Sequence, residues 1–546
     1  MKNILIFLSV SSFLFFGCKS QKKNQQKPKL VVGIVIDQMR YDYLTRFSDR
    51  YGNDGFKKLL KHGFFLENAH YNYIPTYTAV GHTSIYTGTT PDNHGIISNN
   101  WYDKFLKKSI YCVDDTNFKT IGNNGITGQK SPFRMQTTTV TDQLHLAQNM
   151  KGKTIGVAIK DRSAILPAGH TANAAYWFDG KKNGQWVSSS FYMEKLPSWV
   201  DNFNNSEIVN NYLKTPWNTL YNIETYTNSI VDENIFEGKF KGETTSTFPH
   251  DIPNLKAENG NFDIIKAIPA GNSFTADFAK ATIINEDLGK GVYTDFLAVS
   301  FSSTDYIGHQ YGPMSVEMED TYLRLDKDIE EMMSYLEKNF EKNEVLIFLT
   351  ADHGAVNVPQ YLIDNNLPAG YFSLSAFKKE LNTFLIEKYS SDSIIANVSN
   401  YQIFLNHDYI QKNKLNVEAI EKEIARFGLT QNGVAKAVSA TALKSAVFTE
   451  RIIANAQRGF HQVRSGDVLF VLESGWIPAG YTTGTTHGSP YSYDTHVPLL
   501  WYGAGVKKGS SNRLVVIPDI AATVAAILKI QMPSACTGVP IPKMIK

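Results

Sequence analysis

The sequence predicts an α/β fold: a doubly wound, mainly parallel central sheet with helices on both faces and inserted cap segments. Three observations carry that expectation. Apolar runs end abruptly in polar residues, an amphipathic helix lies between two of them, and 546 residues are too many for one compact core. The runs are 30–36 before Asp37, 154–159 before Lys160, 296–301 before Asp305, and 345–349 before Asp352 and His353. A fifth, 497–502, follows the loop that carries His487. Such continuous, largely β-branched runs suit strands buried on both faces of a parallel sheet. The helix pattern is clearest at Met318, Tyr322, Leu325, Ile329, Met332 and Leu336, behind an acidic first turn of Glu317, Glu319 and Asp320 that suits the helix dipole. In these sheets ligands bind beyond the carboxyl ends of the strands, where four of the five runs place their polar residues.

Residues 1–17 read as a signal peptide. Lys2 precedes an apolar run over 4–16, too short to span a bilayer as a stable helix, and Gly17-Cys18 follows. Phe15-Phe16-Gly17-Cys18 resembles a bacterial lipobox, so a lipid anchor at Cys18 is the expected membrane contact. The alternative is ordinary cleavage nearby, giving a soluble periplasmic or secreted protein. Residues 18–29 are polar and read as a tether. The core is expected in three pieces, 30–169, 276–359 and 481–546. Between them lie 170–275, rich in Asn, Trp and Tyr, and 360–480, with a helix expected over 417–427 and a strand over 468–472. Both are expected to line or roof the site as insertions. A periplasmic or cell-surface monomer is the expectation that goes with this layout.

An apolar share of 42% and a charged share of 19% exclude disorder as the dominant state. A net charge of +2 supplies no broad field for a polyanion, so no nucleic-acid partner is expected. Beyond Cys18 the cysteines are Cys112 and Cys536. Two thiols make neither a disulfide scaffold nor a thiolate metal site, and their pairing stays open. Any metal must be held by Asp and His.

The strand-end residues form a metal inventory: Asp37, Asp305, His309, Asp352, His353 and His487. Carboxylate oxygen and imidazole nitrogen are the zinc donors available without thiolate. Asp305 and His309 are four apart, so one helical turn aims both at one ion. Asp352 and His353 are adjacent and point apart, which suits two neighbouring ions. A lone Asp or His after a strand is usually a cap; the combination is what is specific. Before a helix expected over 79–86 and closed by Gly88 stand Thr76 and Thr78. A hydroxyl there meets the N–H groups that favour phosphate. In isolation it is a plain N-cap.

Asp37, the Thr78 region, Asp305-x-x-x-His309, Asp352-His353 and Gly484-Thr485-Thr486-His487, in that order, resemble the alkaline phosphatase superfamily, and within it the bacterial phosphate-irrepressible alkaline phosphatases. The likeness runs through nearly all of the mature chain. It implies a phosphomonoesterase with Thr78, not Thr76, as nucleophile and a covalent phosphothreonine. It also implies two zinc ions: one held by Asp305, His309 and His487, the other by Asp37, Asp352, His353 and the Thr78 oxygen. His496 is the rival of His487, which the Gly-Thr-Thr-His loop favours. The resemblance gives Asn99, Lys160 and Arg162 the non-bridging phosphoryl oxygens of small-molecule phosphate monoesters. Their chemistry suits this: an Arg fork and a Lys point charge bind a dianion, and an amide adds a neutral donor.

Three other readings compete. A phosphodiesterase or nucleotide pyrophosphatase would use the same ligands, but two cations beside a singly charged diester argue against it. A sulfatase needs a Cys or Ser context that Pro75-Thr76-Tyr77-Thr78 lacks. A non-catalytic surface-binding lipoprotein would have lost ligands, and each expected position is filled.

Overall fold

The computed structural model describes residues 27–546, so the signal-peptide and lipobox readings, with Cys18, lie outside the described residues. Five parallel strands form the centre of the molecule: β1 (Leu30–Ile36), β2 (Thr154–Ala158), β3 (Ala174–Asp179), β4 (Asp295–Phe301) and β5 (Val345–Thr350). Their spatial order is β5-β1-β4-β2-β3. Every residue in them is buried, which is why these runs carry no polar alternation. The fifth expected run is present as Leu499–Gly503, antiparallel to β5. Short edge strands extend the sheet to ten.

Register positions the site. Ile36 pairs with Phe301 and Val35 with Thr350, so β1, β4 and β5 end side by side. Asp37, Asp305 and Asp352 therefore leave the sheet at one edge, as expected for ligand-binding α/β sheets.

The structure differs from the sequence reading in two places. Residues 170–275 do not stand wholly apart from the core, because β3 and its antiparallel neighbour Gln185–Ser189 belong to the central sheet. The run Ala-Ala-Tyr-Trp-Phe-Asp is aromatic rather than β-branched, and the Asn-rich surroundings hid it. The helix Val316–Asn339 buries all six expected apolar residues and is capped by the Ser315 hydroxyl, which accepts from the Met318 N–H at 3.1 Å. Its acidic first turn, however, faces the interior. Asp320 accepts from the Trp217 indole (2.8 Å), the Leu220 N–H (2.6 Å) and the Tyr226 hydroxyl (2.6 Å). These carboxylates anchor the inserted segment, a tertiary role that helical spacing does not reveal.

Residues 360–480 build their own unit. Helices Leu374–Tyr389 and Val417–Leu429 cover a four-stranded antiparallel sheet in the order Ile395–Ser399, Gln402–Leu405, Val468–Leu472, Val434–Ser439. Phe377, Leu381, Ile420, Ile424 and Phe470 form its separate core. Cys112 is buried, and it and Cys536 are both free thiols.

Candidate metal centre

Each candidate ligand is placed by local structure. Asp37 follows β1, and the turn after it puts Gln38 in the left-handed region (φ 63°), where its N–H donates to Asp352 Oδ1 at 3.1 Å. Asp305 lies in the first turn of helix Ser303–Tyr311, and His309 one turn later brings its Nε2 to 3.2 Å from Asp305 Oδ1. Asp352 and His353 follow β5. Thr78 opens helix Thr78–Thr87, which ends at Gly88 (φ 68°). That helix packs against the Asp352 turn at Gly81, where a Cβ would collide with the Asp352 carbonyl. Glycine there lets the helix that Thr78 opens lie directly on the Asp352 turn.

These groups converge. Donor atoms of Asp305, His309 and His487 lie within 4.8 Å of one another, as do those of Asp37, Asp305 and His353. His353 Nε2 is 3.5 Å from both Asp37 Oδ1 and Asp352 Oδ2. Asp305 thus borders both groups, whereas the sequence reading gave it to one. The imidazoles are oriented alike: Nδ1–H donates to the carbonyl of Thr485 from His309 (2.7 Å), of Thr76 from His487 (2.7 Å) and of Gly354 from His353 (3.0 Å). Each Nε2 is left facing the carboxylates, the arrangement by which metal-binding histidines are usually held. Asp37 Oδ1, Asp352 Oδ2 and His353 Nε2 are buried without a hydrogen-bond partner. Unpaired buried polar atoms are costly, and here their convergence fits a cation.

The electrostatics agree. Burial pushes the Asp37 carboxyl well up, and neighbouring Asp352 adds to this against the pull of Lys160. Burial also opposes ionisation of Asp305, but His309 and Lys160 outweigh it and hold Asp305 well below the usual range. Burial, then the neighbouring His353, drives His487 well down; burial lowers His353. Both rings are therefore neutral, the state that binds metal. Lys160 Nζ donates to Asp37 Oδ2 (2.7 Å) and Asp305 Oδ2 (2.5 Å).

The other candidates gather at the same place. Arg162 Nη2 is 3.5 Å from Thr78 Oγ1, and its Nη1 donates to the Tyr111 hydroxyl at 3.1 Å. Tyr111 donates in turn to Asp161 Oδ1 at 2.5 Å, which fixes the guanidinium. Asn99 Oδ1 accepts from the Ala79 N–H at 2.9 Å. Lys160 is 4% exposed, so it is not a surface charge. Thr76 has a different job: its hydroxyl donates to the Ser489 carbonyl at 3.1 Å and its own carbonyl orients His487. His496 lies elsewhere, stacked between Tyr41 and His70, with Nε2 on the Glu67 carbonyl at 3.0 Å.

Sequence reasoning missed several supporting residues. Gln38 Nε2 donates to Asp305 Oδ1 at 2.8 Å. His82 Nδ1 lies 3.3 Å from Asp352 Oδ2; its place one helical turn after Thr78 was the available signal. Asp494 accepts from the Gly488 and Ser489 N–H groups (3.0 and 2.7 Å), holding the loop after His487. Tyr111 gave no signal, because its contact depends on tertiary packing alone.

A model of the type I phosphodiesterase / nucleotide pyrophosphatase family matches residues 31–495. The chain belongs to this family, within the alkaline phosphatase superfamily. The alkaline phosphatase PhoV of Synechococcus elongatus is 44% identical to it, with 100% of each chain covered. A Myroides odoratus protein named a calcium-transporting ATPase is 45% identical over 99% of each chain. The crystal structure of the wild-type alkaline phosphatase PafA superimposes with a TM-score of 0.92 at 41% identity, covering 95% of this chain and 99% of that one.

Proposed function

We propose that the chain is a zinc-dependent phosphomonoesterase that works through a covalent phosphothreonine at Thr78. Hydrolysis of phosphate monoesters fits its full-length likeness to named alkaline phosphatases. The observation that carries the mechanism is the convergence of three buried carboxylates and three imidazoles beside one hydroxyl, with unpaired atoms turned inward. Asp305, His309 and His487 would hold one zinc ion, and Asp37, Asp352 and His353, with the Thr78 oxygen, the other. When bound, such a pair supplies Lewis acidity that lowers the pKa of the attacking hydroxyl and neutralises charge on the leaving oxygen.

The chain's own residues do the rest. The Thr78 oxygen attacks phosphorus, the P–O bond to the alcohol breaks, and water later cleaves the Thr78–phosphoryl bond. Arg162, held by Tyr111, binds one equatorial oxygen. Asn99, oriented by the Ala79 N–H, keeps its NH₂ free for another. Lys160 supplies the second positive charge, so two fixed cations meet a dianion and catalysis is positioning plus electrostatics. This pairing favours monoesters over diesters, which carry one charge. The terminal phosphoryl group of ATP presents the same dianionic end, which accommodates the ATPase name of the Myroides relative. The amino-terminal pattern supports export to the periplasm or cell surface, with anchoring at Cys18, and the protein is proposed to act as a monomer.

The test combines metal analysis with kinetics on p-nitrophenyl phosphate and its bis-ester. Two zinc ions per chain and a kcat/KM at least about 100-fold higher for the monoester are expected, the scale of one fixed charge contact in a transition state. A preference for the bis-ester would make the phosphodiesterase reading the better one.

A further inference from the structure

The two cations proposed to meet the phosphoryl group are held differently. Arg162 is a rigid planar fork, and the Tyr111 hydroxyl fixes its Nη1 at 3.1 Å. Lys160 carries its charge on a flexible four-carbon stem, which by itself sets no direction. Its ammonium is nonetheless buried, with Asp37 Oδ2 at 2.7 Å and Asp305 Oδ2 at 2.5 Å. A third neighbour is neither a proposed ligand nor a phosphoryl contact. The Tyr306 ring has its centroid 4.9 Å from Lys160 Nζ, within the reach of a cation–π contact.

Local structure fixes that ring. Tyr306 follows Asp305 in the helix Ser303–Tyr311. The start of this helix is pinned by three hydrogen bonds. Thr304 Oγ1 donates to the Asp37 carbonyl at 2.5 Å, the Ser303 N–H to Asn272 Oδ1 at 3.2 Å, and Gln38 Nε2 to Asp305 Oδ1 at 2.8 Å. At Gly271, in the neighbouring helix Ala270–Asn285, a Cβ would collide with the Ser303 hydroxyl, so the two helices also lie close. Tyr306 itself is half-buried and stands outside the hydrophobic core. Core packing therefore does not account for a large ring at this position.

From this geometry we infer that Tyr306 is the positioning residue of Lys160: its ring faces the ammonium and keeps that charge at the phosphoryl site. The inference rests on the proposed reading of Lys160 as a cation that meets the second negative charge of a monoester. The proposed metal ions would draw on Asp37 and Asp305, the two carboxylates that pair with Lys160, and the ring is the neighbour they leave to it. A face contact of this kind depends on the aromatic ring and not on the hydroxyl. Tyr306→Phe therefore keeps the contact, and Tyr306→Leu loses it.

The experiment compares zinc-loaded wild type, Tyr306→Leu and Tyr306→Phe on p-nitrophenyl phosphate and its bis-ester, and measures the Kd of inorganic phosphate for each by calorimetry. Tyr306→Leu is expected to lower kcat/KM on the monoester by about 3- to 30-fold, the factor for one cation–π contact, and on the bis-ester by about twofold or less. Phosphate should bind more weakly by a similar factor, and Tyr306→Phe should stay within about twofold of wild type in both measurements. In a Lys160→Ala background, Tyr306→Leu should change the monoester value by less than about twofold, because the ring then has no cation to hold. Equal loss on both esters, no loss, a Tyr306→Phe as weak as Tyr306→Leu, or a loss that persists without Lys160 overturns the assignment. If Tyr306→Leu melts early, Tyr306→Gln, which also lacks a ring, carries the same comparison. A wild type that fails to favour the monoester would instead reject the phosphomonoesterase reading itself, and the phosphate Kd would then decide the role of the ring alone.

Discussion

The two sides of the site are built by different means. Asp37, Asp305, Asp352 and His353 stand at or just past the ends of strands whose register is fixed by burial on both faces, and the helix that Thr78 opens packs at Gly81 against the Asp352 carbonyl. Another wall is carried on the loop that bears His487 and on added structure, the 360–480 unit, which has a separate sheet and core. A group held by the central sheet cannot shift without moving the core, whereas a group on an inserted unit can vary with that unit's packing. We therefore expect the sheet side to govern turnover and the added side to govern which alcohol is accepted.

The sharpest way to break this contrast is at Thr78. Thr78→Ala should lower kcat roughly 10³-fold or more, as loss of a nucleophile does. It should do so with an unchanged melting curve, since the hydroxyl makes a single long contact, to Arg162, and with zinc still held by Asp37, Asp352 and His353. Near-wild-type turnover in that variant, with zinc retained, would move the chemistry elsewhere. Next in size are the cations at the end of β2. Replacing Lys160 and Arg162 together by Ala should cost a monoester about 10²- to 10⁴-fold in kcat/KM and a diester about 10-fold or less. Similar losses on both esters would mean that the pair does not read the second negative charge.

The same contrast explains what the sequence revealed. Strands buried on both faces must be continuously apolar, so β1, β2, β4 and β5 and the polar residues beyond them could be read directly. Asp305 and His309 could be read because helical spacing alone aligns them. β3 was missed because aromatic residues replace β-branched ones in an Asn-rich stretch. Local spacing presents Glu317 and Asp320 as dipole partners, because their true contacts, His250 and Trp217, are about 70 and 100 residues away. Gln38 and Tyr111 act through tertiary hydrogen bonds that no local pattern encodes. Lys160 was placed at the right edge, but its bridge between Asp37 and Asp305 depends on three strands meeting.

The smallest expected effect separates stability from chemistry. In the inserted segment the His250 ring, fully buried, lies between Glu243 (2.8 Å) and Glu317 (3.3 Å). Burial opposes its charge, but the two carboxylates win and raise its pKa to about 9. Burial raises Glu317 to about 7; burial and then Glu317 raise Glu237 to about 9. The three groups titrate as a unit. All hold protons in the folded chain that the unfolded chain releases at about 4.3 for Glu and about 6.5 for His. Raised pKa values give stability that is complete below the unfolded values and lost as pH climbs through the folded ones. The Tm of the zinc-loaded protein should therefore fall between about pH 4.3 and 9, and His250→Gln should flatten the part above about pH 6.5 by a few degrees. Turnover at saturating substrate should hardly change, because His250 meets the His309 helix only at its last residue, Tyr311 (centroids 5.4 Å apart), and its hydrogen bonds go to Glu243 and Glu317 rather than to a proposed ligand. A large loss of kcat in His250→Gln with an intact Tm would show that added structure also sets the geometry of the reacting groups, and the division between the two sides would fail.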